Sequence, residues 1–222
     1  MNKKIALIPL RGGSKGIKNK NLKLFAGSPL CSYALTSAIN CDEIDEVWVS
    51  SEDEKILDYV RINFKKVKLF KRSKLFATDT ASTESVVLEF IDKVNIDNND
   101  DIILIQATSP FTTSTMLNEA ILMYKAQQND SLISVVADKR FYWNKNGTPV
   151  NYDPSCRPRR QDFNGLMMEN GAFYISSAGA YRKFNNRISG KVGLYVMPSY
   201  TGHELDEPID WVIMENIAKK YL

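Results

Sequence analysis

Histidine and cysteine are scarce in this chain of 222 residues, which has one of the first and three of the second. Cys31, Cys41 and Cys156 form no short-range metal or redox motif, and an odd, sparse count without a disulfide framework favours a reducing compartment. His203, beside Glu204, reads as an exposed turn residue and is assigned no role in catalysis. Long apolar runs are missing too. The opening "MNKKIALIPLRGG" has two lysines, but the apolar stretch of residues 5–10 is too short for a signal peptide or a bilayer span. The expectation is a soluble, cytoplasmic protein that engages no membrane. Charge of one sign is equally lacking: 29 basic against 26 acidic side chains leave a formal +3. That excess argues against a general nucleic-acid binder and suits local basic pockets for small anions.

What is present is a core. Hydrophobic residues make up 44% and charged residues 25% of the chain, a balance that fits a globular protein without repeats or low-complexity tracts. Residues 5–9 are near-continuously apolar, the pattern of a strand buried on both faces. A helix is expected over "SPLCSYALTSAIN", with Pro29 in its first turn. A strand over "IDEVWVSS" leads to a helix over "SEDEKILDYVRINF", which carries acids in its opening turn. "KVKLFKR" reads as a strand and "STESVVLEFIDKV" as a helix that Ser82 caps. "DIILIQATSP" repeats the logic of the first strand, before a helix over "TSTMLNEAILMYKAQQND" and a strand over "SLISVVAD".

This alternation through residues 1–138 predicts an α/β fold, a mostly parallel, Rossmann-like sheet with helices on both faces. From Lys139 the texture changes to an aperiodic stretch rich in Gly, Pro, Asn and cations, of a kind usually functional or interfacial. "MENGAFYISS" and "KVGLYVMP" restore strands around a short helix, "AGAYRKFN". An amphipathic helix over "DEPIDWVIMENIAKKYL" follows.

Ligands of parallel sheets bind beyond the carboxyl ends of the strands. "LIPLRGGSKG" ends a strand there with Gly12 and Gly13, which let backbone N–H groups approach a phosphate, and with cations at Arg11, Lys15 and Lys20. An ordinary glycine turn with surface cations would read the same way. Arg72 ends the third strand, at the edge of a basic run over residues 65–74. Gln106 offers both a donor and an acceptor to a base or sugar edge. Thr108 and Ser109 orient a ligand or close a turn, and Ser109 or Thr113 caps the next helix. Arg157, Arg159 and Arg160 repel one another unless an anion or a partner carboxylate joins them. Glu204 and Asp206 flank Leu205, so an extended backbone puts both carboxylates on one face. Two such oxygen donors beside phosphates suit Mg²⁺, with water completing its octahedron.

"IPLRGGSKGIKNKNL" resembles the N-terminal signature of the N-acylneuraminate cytidylyltransferase (CMP-sialic acid synthetase) family. "VWVSSEDEKI", "KRSKLFATDTAST", "LIQATSPF", "RPRRQD", "ENGAFYI" and "ELDEPIDW" resemble its later blocks, in order, over roughly residues 5–212. The resemblance implies an α/β nucleotide-binding fold that works as a homodimer. The implied reaction joins CTP to a nine-carbon 2-keto sugar acid, with Mg²⁺, to give the CMP-sugar and pyrophosphate. It divides the chain into a nucleotide-binding core at 1–138, an inserted dimerisation and sugar-acid-binding element at 139–190, and a return to the core at 191–222. That last segment carries the metal-binding strand end.

The implied nucleotide site comprises Leu10, Arg11, Gly12, Gly13, Ser14, Lys20, Asn21, Arg72 and Thr80. The sugar-acid site comprises Gln106, Thr108, Ser109, Arg159, Arg160 and Gln161, with Arg159 or Arg160 gripping the substrate carboxylate, in its own subunit or across the dimer. Arg11, Lys20 and Asp206 carry the chemistry. Asp206 holds the metal, and Glu204, where the family usually has aspartate, does so directly or through water. Asp210 is a weaker candidate behind them. Trp48, Trp143 and Trp211 serve packing, with Trp143 a candidate for the dimer surface. Ser73 stands where the family prefers proline, and Phe76 separates Leu75 from Ala77. The competing readings are a cytidylyltransferase for the eight-carbon acid KDO, whose branch has Gly-Asp-x-Pro where this chain has "QATSP", a sugar-1-phosphate nucleotidyltransferase, and a non-enzymatic binding protein of the same fold.

Overall fold

Strands buried on both faces build the sheet, successive side chains pointing to opposite sides. In strand β1 (Lys4–Pro9), Ala6 and Ile8 point to one face and Ile5 and Leu7 to the other, all fully buried. Strand β6 (Asp101–Ile105) does the same with Ile103 and Ile105 against Ile102 and Leu104. A strand apolar on both sides belongs in the middle of a covered sheet. The computed structural model, which describes residues 2–14, 16–78 and 80–222, puts both there.

The remaining elements follow the expected alternation. Strands β2 (Leu24–Phe25) and β3 (Ser28–Pro29) precede helix α1 (Cys31–Ile39), and β4 (Glu46–Ser51) precedes α2 (Glu54–Asn63). Then come β5 (Val67–Lys71), α3 (Thr83–Lys93), β6, α4 (Ser114–Ala126) and β7 (Ser131–Asp138). Strand β8 (Leu166–Ser177), α5 (Ala178–Phe184), β9 (Val192–Met197) and α6 (Pro208–Tyr221) complete the order. Ser82 caps α3 by accepting from Ser85 N–H at 3.1 Å, and Thr113, not Ser109, caps α4 by accepting from Met116 N–H at 3.2 Å.

The main sheet runs β5-β4-β1-β6-β8-β7-β9, and every strand is parallel to β1 except β8, which is antiparallel to both its neighbours. Helices α1, α2 and α4 cover one face, and α3 and α5 the other. Helix α6 packs Trp211 and Met214 with Phe25, Ile17 and Leu205 in a third apolar cluster.

Two expectations change. Pro29 does not open a helix. It pairs with Leu24 in a two-residue antiparallel ladder, turned at Ala26 and Gly27 with φ of 43° and 93°, and α1 starts after it. Residues 166–177, grouped by sequence with the insertion, lie as β8 inside the sheet, where the continuously buried residues 170–176 fit between β6 and β7.

What leaves the sheet is an arm at 139–165. Its two roots are neighbours, since Asp138 and Leu166 are paired. Inside it Val150 N–H donates to Tyr142 O at 2.9 Å, and Phe141 lies 4.3 Å from Tyr152 and 4.9 Å from Phe163, centroid to centroid. The aromatic cluster gives this aperiodic stretch a small core of its own, but no dimerisation element is identified in the structure. Among the described residues no helix is long and apolar enough to cross a membrane.

Candidate active site

The carboxyl ends of β1, β4, β5 and β6 open onto a cleft with two adjoining halves. One, of about 210 Å³, is lined by Arg11, Ser14, Lys20, Asn21, Arg72, Phe76, Gln106 and Thr108, among others. The other, of about 460 Å³, shares Arg11, Lys20, Gln106 and Thr108 and adds Glu169, Tyr174, Arg187, Glu204 and Asp206. The first half is bounded by cations and amides, the second by cations facing carboxylates.

The glycine loop is held from below. Asn21, buried, donates from Nδ2 to Arg11 O at 2.9 Å. Lys20 turns its ammonium to Leu205 O at 2.6 Å and to Asp206 Oδ1 at 3.1 Å. Gly16 explains how the loop comes so close to that segment. A Cβ there would stand 2.1 Å from Asp206 O, so only glycine fits. A Cβ on Gly13 meets nothing, which leaves open space over that backbone. Gly12 faces a separate hollow with Lys18, Lys23, Asp53 and Lys55. Leu10 is fully buried, its N–H donates to Ser50 O at 2.9 Å, and it lines neither half. Lys15 lies outside the described residues.

Arg72 is buried and ion-paired with Glu52, Nη2 to Oε2 at 2.6 Å. The chain's departure from the family pattern at Ser73 has a local compensation. Its N–H, which proline would lack, donates to Glu89 Oε1 at 2.9 Å, and its hydroxyl accepts from Leu75 N–H at 3.3 Å. Leu75 is left 77% exposed, while Phe76 turns inward to the first cavity. Thr80 stands outside both halves, its hydroxyl 3.3 Å from that of Thr78.

The late acidic segment is anchored by its middle residue. Leu205 is fully buried, and its N–H donates to Thr108 O at 3.2 Å. Glu204 and Asp206, on either side, both face the second cavity. Partial burial raises the pKa of Glu204, and the charge of Asp206 raises it further; Lys20 works against both, and Glu169 adds to the rise. Asp210 turns away, accepting from Asp206 and Glu207 N–H at 3.1 and 2.7 Å as a helix cap. Among the described residues no three His, Cys, Asp or Glu side chains gather as a metal cage. Among the described residues Glu204 and Asp206 would offer a Mg²⁺ ion a pair of carboxylates, which fits an ion whose other ligands are phosphate oxygens and water.

Besides Leu10, Gly12, Gly13 and Thr80, four sugar-acid candidates are not brought to the cleft in this single chain. Ser109 is buried with its Oγ unpartnered and lines neither half. Arg159, Arg160 and Gln161 sit on the arm, outside both cavities. The arginine cluster is partly relieved within the chain. Arg159 Nε binds Asp162 at 2.8 Å, and Arg157 lies 4.4 Å over the Phe141 ring. His203 is exposed, and the buried Cys31 thiol is pushed up to about 12, mainly by burial, so it offers no thiolate.

Sequence reasoning missed Glu52, Glu169, Tyr174 and Arg187. Arg187 Nε binds Glu84 at 2.6 Å while its guanidinium lies 4.8 Å from the Tyr174 ring, and Tyr174 donates to Glu169 at 2.5 Å. "NNRISG" carries no periodicity or motif that would single out Arg187. Tyr174 and Glu169 lay inside the quoted "ENGAFYI", where their role was left unassigned.

A family model described as "Cytidylyltransferase" matches residues 5–202. The zebrafish (Danio rerio) N-acylneuraminate cytidylyltransferase A is 36% identical over 97% of this chain and 51% of its own length. The pseudaminic acid cytidylyltransferase of Campylobacter jejuni is 30% identical over 88% of both chains. The chain spans about half the length of the first of these relatives. A solved structure of CMP:2-keto-3-deoxy-manno-octonic acid synthetase complexed with CTP shares the fold, with a TM-score of 0.74, 15% identity and all of both chains covered. On the match to most of its length and the likeness to these relatives, the chain belongs to the cytidylyltransferase family.

Proposed function

We propose that the chain joins CTP to a nine-carbon 2-keto sugar acid, releasing pyrophosphate. The observation that carries this reading is the shared wall of the cleft. Arg11, Lys20, Gln106 and Thr108 line both halves, so a triphosphate in the first half and a sugar acid in the second would meet at the same cations. The relatives' names support both substrates.

In the reaction, the hydroxyl oxygen on the anomeric carbon gives up its proton to water and forms a bond to the α-phosphorus of CTP, and the bond from that phosphorus to the α–β bridging oxygen breaks. Negative charge moves onto the departing pyrophosphate. Arg11, Lys20 and the N–H groups of the glycine loop oppose it, so positioning and electrostatics supply most of the rate. In this proposal Lys20 exchanges Asp206 for the phosphates. That exchange frees Asp206, and Asp206 with Glu204 are the residues that would hold Mg²⁺. When bound, the ion supplies Lewis-acid neutralisation of phosphate charge. Arg72 and Phe76 border the base end of the nucleotide, and Gln106 and Thr108 the sugar acid.

The protein acts as a homodimer in this proposal. Trp143, Val150 and Met167, on or at the root of the arm, are 51%, 52% and 49% exposed, which is apolar surface suited to a second copy. Arg159 or Arg160, away from its own cleft, would then grip the substrate carboxylate across the pair, with Gln161 beside it.

Incubation with CTP, Mg²⁺ and a panel of N-acetylneuraminic, KDN, legionaminic, pseudaminic and KDO acids tests the proposal through pyrophosphate release and the mass of the product. Turnover with a nine-carbon acid is the expected outcome. Turnover with KDO alone moves the chain to the eight-carbon reading, and none with any acid favours a binding protein.

A further inference from the structure

The exits of three neighbouring strands, β5, β4 and β1, are tied together beneath the cleft. The backbone makes two of the ties: Leu10 N–H donates to Ser50 O at 2.9 Å, and Arg72 N–H donates to Ser51 O at 3.1 Å. One residue on, where the ladder runs out, a side chain takes over. Glu52 Oε1 accepts from Gly12 N–H at 2.8 Å. Its Oε2 accepts from Nε and Nη2 of Arg72 at 2.8 and 2.6 Å. One carboxylate on the middle strand thus holds the outgoing chain of both neighbours.

Both charges of this pair are largely withdrawn from water, the Arg72 side chain being 3% exposed and that of Glu52 14%. Each would be costly to bury alone, so each requires the other. The grip on Nε and Nη2 fixes the plane of the guanidinium and leaves Nη1 for the cavity that Arg72 lines. On the other side the loop has no slack, because a Cβ on Gly12 would stand 2.2 Å from Asp53 Oδ2.

We infer that Glu52 is a positioning residue whose carboxylate sets, from one point, Arg72 at one end of the nucleotide cavity and the glycine loop at the other. This rests on reading the cavity as the CTP site. Arg72 then offers the nucleotide directed N–H groups rather than net charge, since Glu52 has already neutralised it. The phosphates are left to Arg11 and Lys20.

The test measures CTP affinity by calorimetry, sugar-acid KM at saturating CTP, and thermal midpoint. The chains compared are the parent, Glu52→Gln, Glu52→Asp and the double variant Glu52→Gln/Arg72→Met. Glu52→Gln weakens CTP binding roughly 30-fold, the scale for losing hydrogen bonds to a charged group. Its sugar-acid KM stays near that of the parent. The double variant, which removes the unpaired buried cation, regains the thermal midpoint lost by Glu52→Gln but still binds CTP weakly. Parent-like CTP affinity in a folded Glu52→Gln overturns the inference, and so does parent-like CTP affinity in Glu52→Asp, which keeps the charge but is too short to reach Gly12 and Arg72 together. If Glu52→Gln does not fold, Glu52→Asp decides alone. A parent chain that binds no CTP removes both this inference and the functional reading beneath it, and that failure is visible without any variant.

Discussion

The two ends of the same parallel strands treat their charges in opposite ways. At the amino end, Glu46 of β4 binds Lys3 at 3.1 Å, Lys68 at 3.0 Å and the Trp48 indole at 2.9 Å. Glu43 binds Lys4 at 3.0 Å and Lys125 at 3.3 Å. Burial works against the Glu46 carboxylate, yet the bonds from Trp48, Lys68 and Lys3 overcome it and hold its pKa at about 2. Glu43 is likewise lowered, chiefly by Lys4. At the carboxyl end, Glu204 is raised by burial and by neighbouring acids, and Lys20 is shared between a carbonyl and Asp206. Glu43 and Glu46 at one end each sit between two lysines; Glu204 at the other lies beside further acids, with Lys20 engaged by Asp206. The first arrangement holds the sheet together, and the second leaves charge unbalanced where a polyanion and a cation would complete it.

Breaking the cleft end should therefore cost activity and spare the fold. The largest effect is expected for Asp206→Asn, which removes Mg²⁺-dependent turnover while the melting transition persists; a magnesium titration of pyrophosphate release checks it, and parent-like rates would end the assignment. Lys20→Ala comes next, slowing turnover by a factor of roughly 100 or more, the scale for losing a preorganised charge beside the reacting group. Single-turnover measurement with CTP in excess reads it directly. Arg160→Ala raises the sugar-acid KM about 10-fold, the scale for one charge-assisted hydrogen bond, and the CTP KM by less. The reverse order would move that arginine to the nucleotide side.

The smallest effect belongs to the amino end and concerns stability alone. A carboxylate whose pKa falls from 4.5 in its ordinary state to about 2 in the fold contributes stability that is fully present above the first value. That contribution is lost as pH falls through the second. Glu46→Gln should remove about 1–2 kcal/mol at neutral pH, after allowance for solvent screening, and flatten the acid limb of the unfolding curve. Denaturant titrations across the acid range measure both, and pyrophosphate release should match the parent.

The strands and helices were legible because the apolar spacing that defines them is also what buries them. Residues 5–8 and 102–105, apolar at every position, announce a sheet covered on both faces. The hairpin at residues 24–29 escaped because two-residue strands leave no period to detect, and Pro29 suits a helix start as well as a ladder end. The direction of β8 is not written in its side-chain pattern, which reads the same either way. In the site, Arg11, Ser14, Lys20, Asn21, Arg72, Gln106, Thr108, Glu204 and Asp206 do line the cleft. Each lies in a segment that resembles the family. Glu52 was hidden because an acid just before a helix already has a sufficient explanation in the helix dipole. Arg187 was hidden by distance along the chain, since its neighbours Glu84 and Tyr174 are gathered only by folding.

Strand β8 runs against its neighbours, so its first half, not its last, arrives at the cleft with Glu169 and Gly171. The arm that precedes it consequently leaves from the tip of β7 and returns to the same rim, rooted at the pair Asp138 and Leu166. Such a loop is free to change length and content without disturbing a single rung of the sheet. The scaffold can thus keep the first half of its cleft while a variable canopy, rooted beside the second pocket, is exchanged above it.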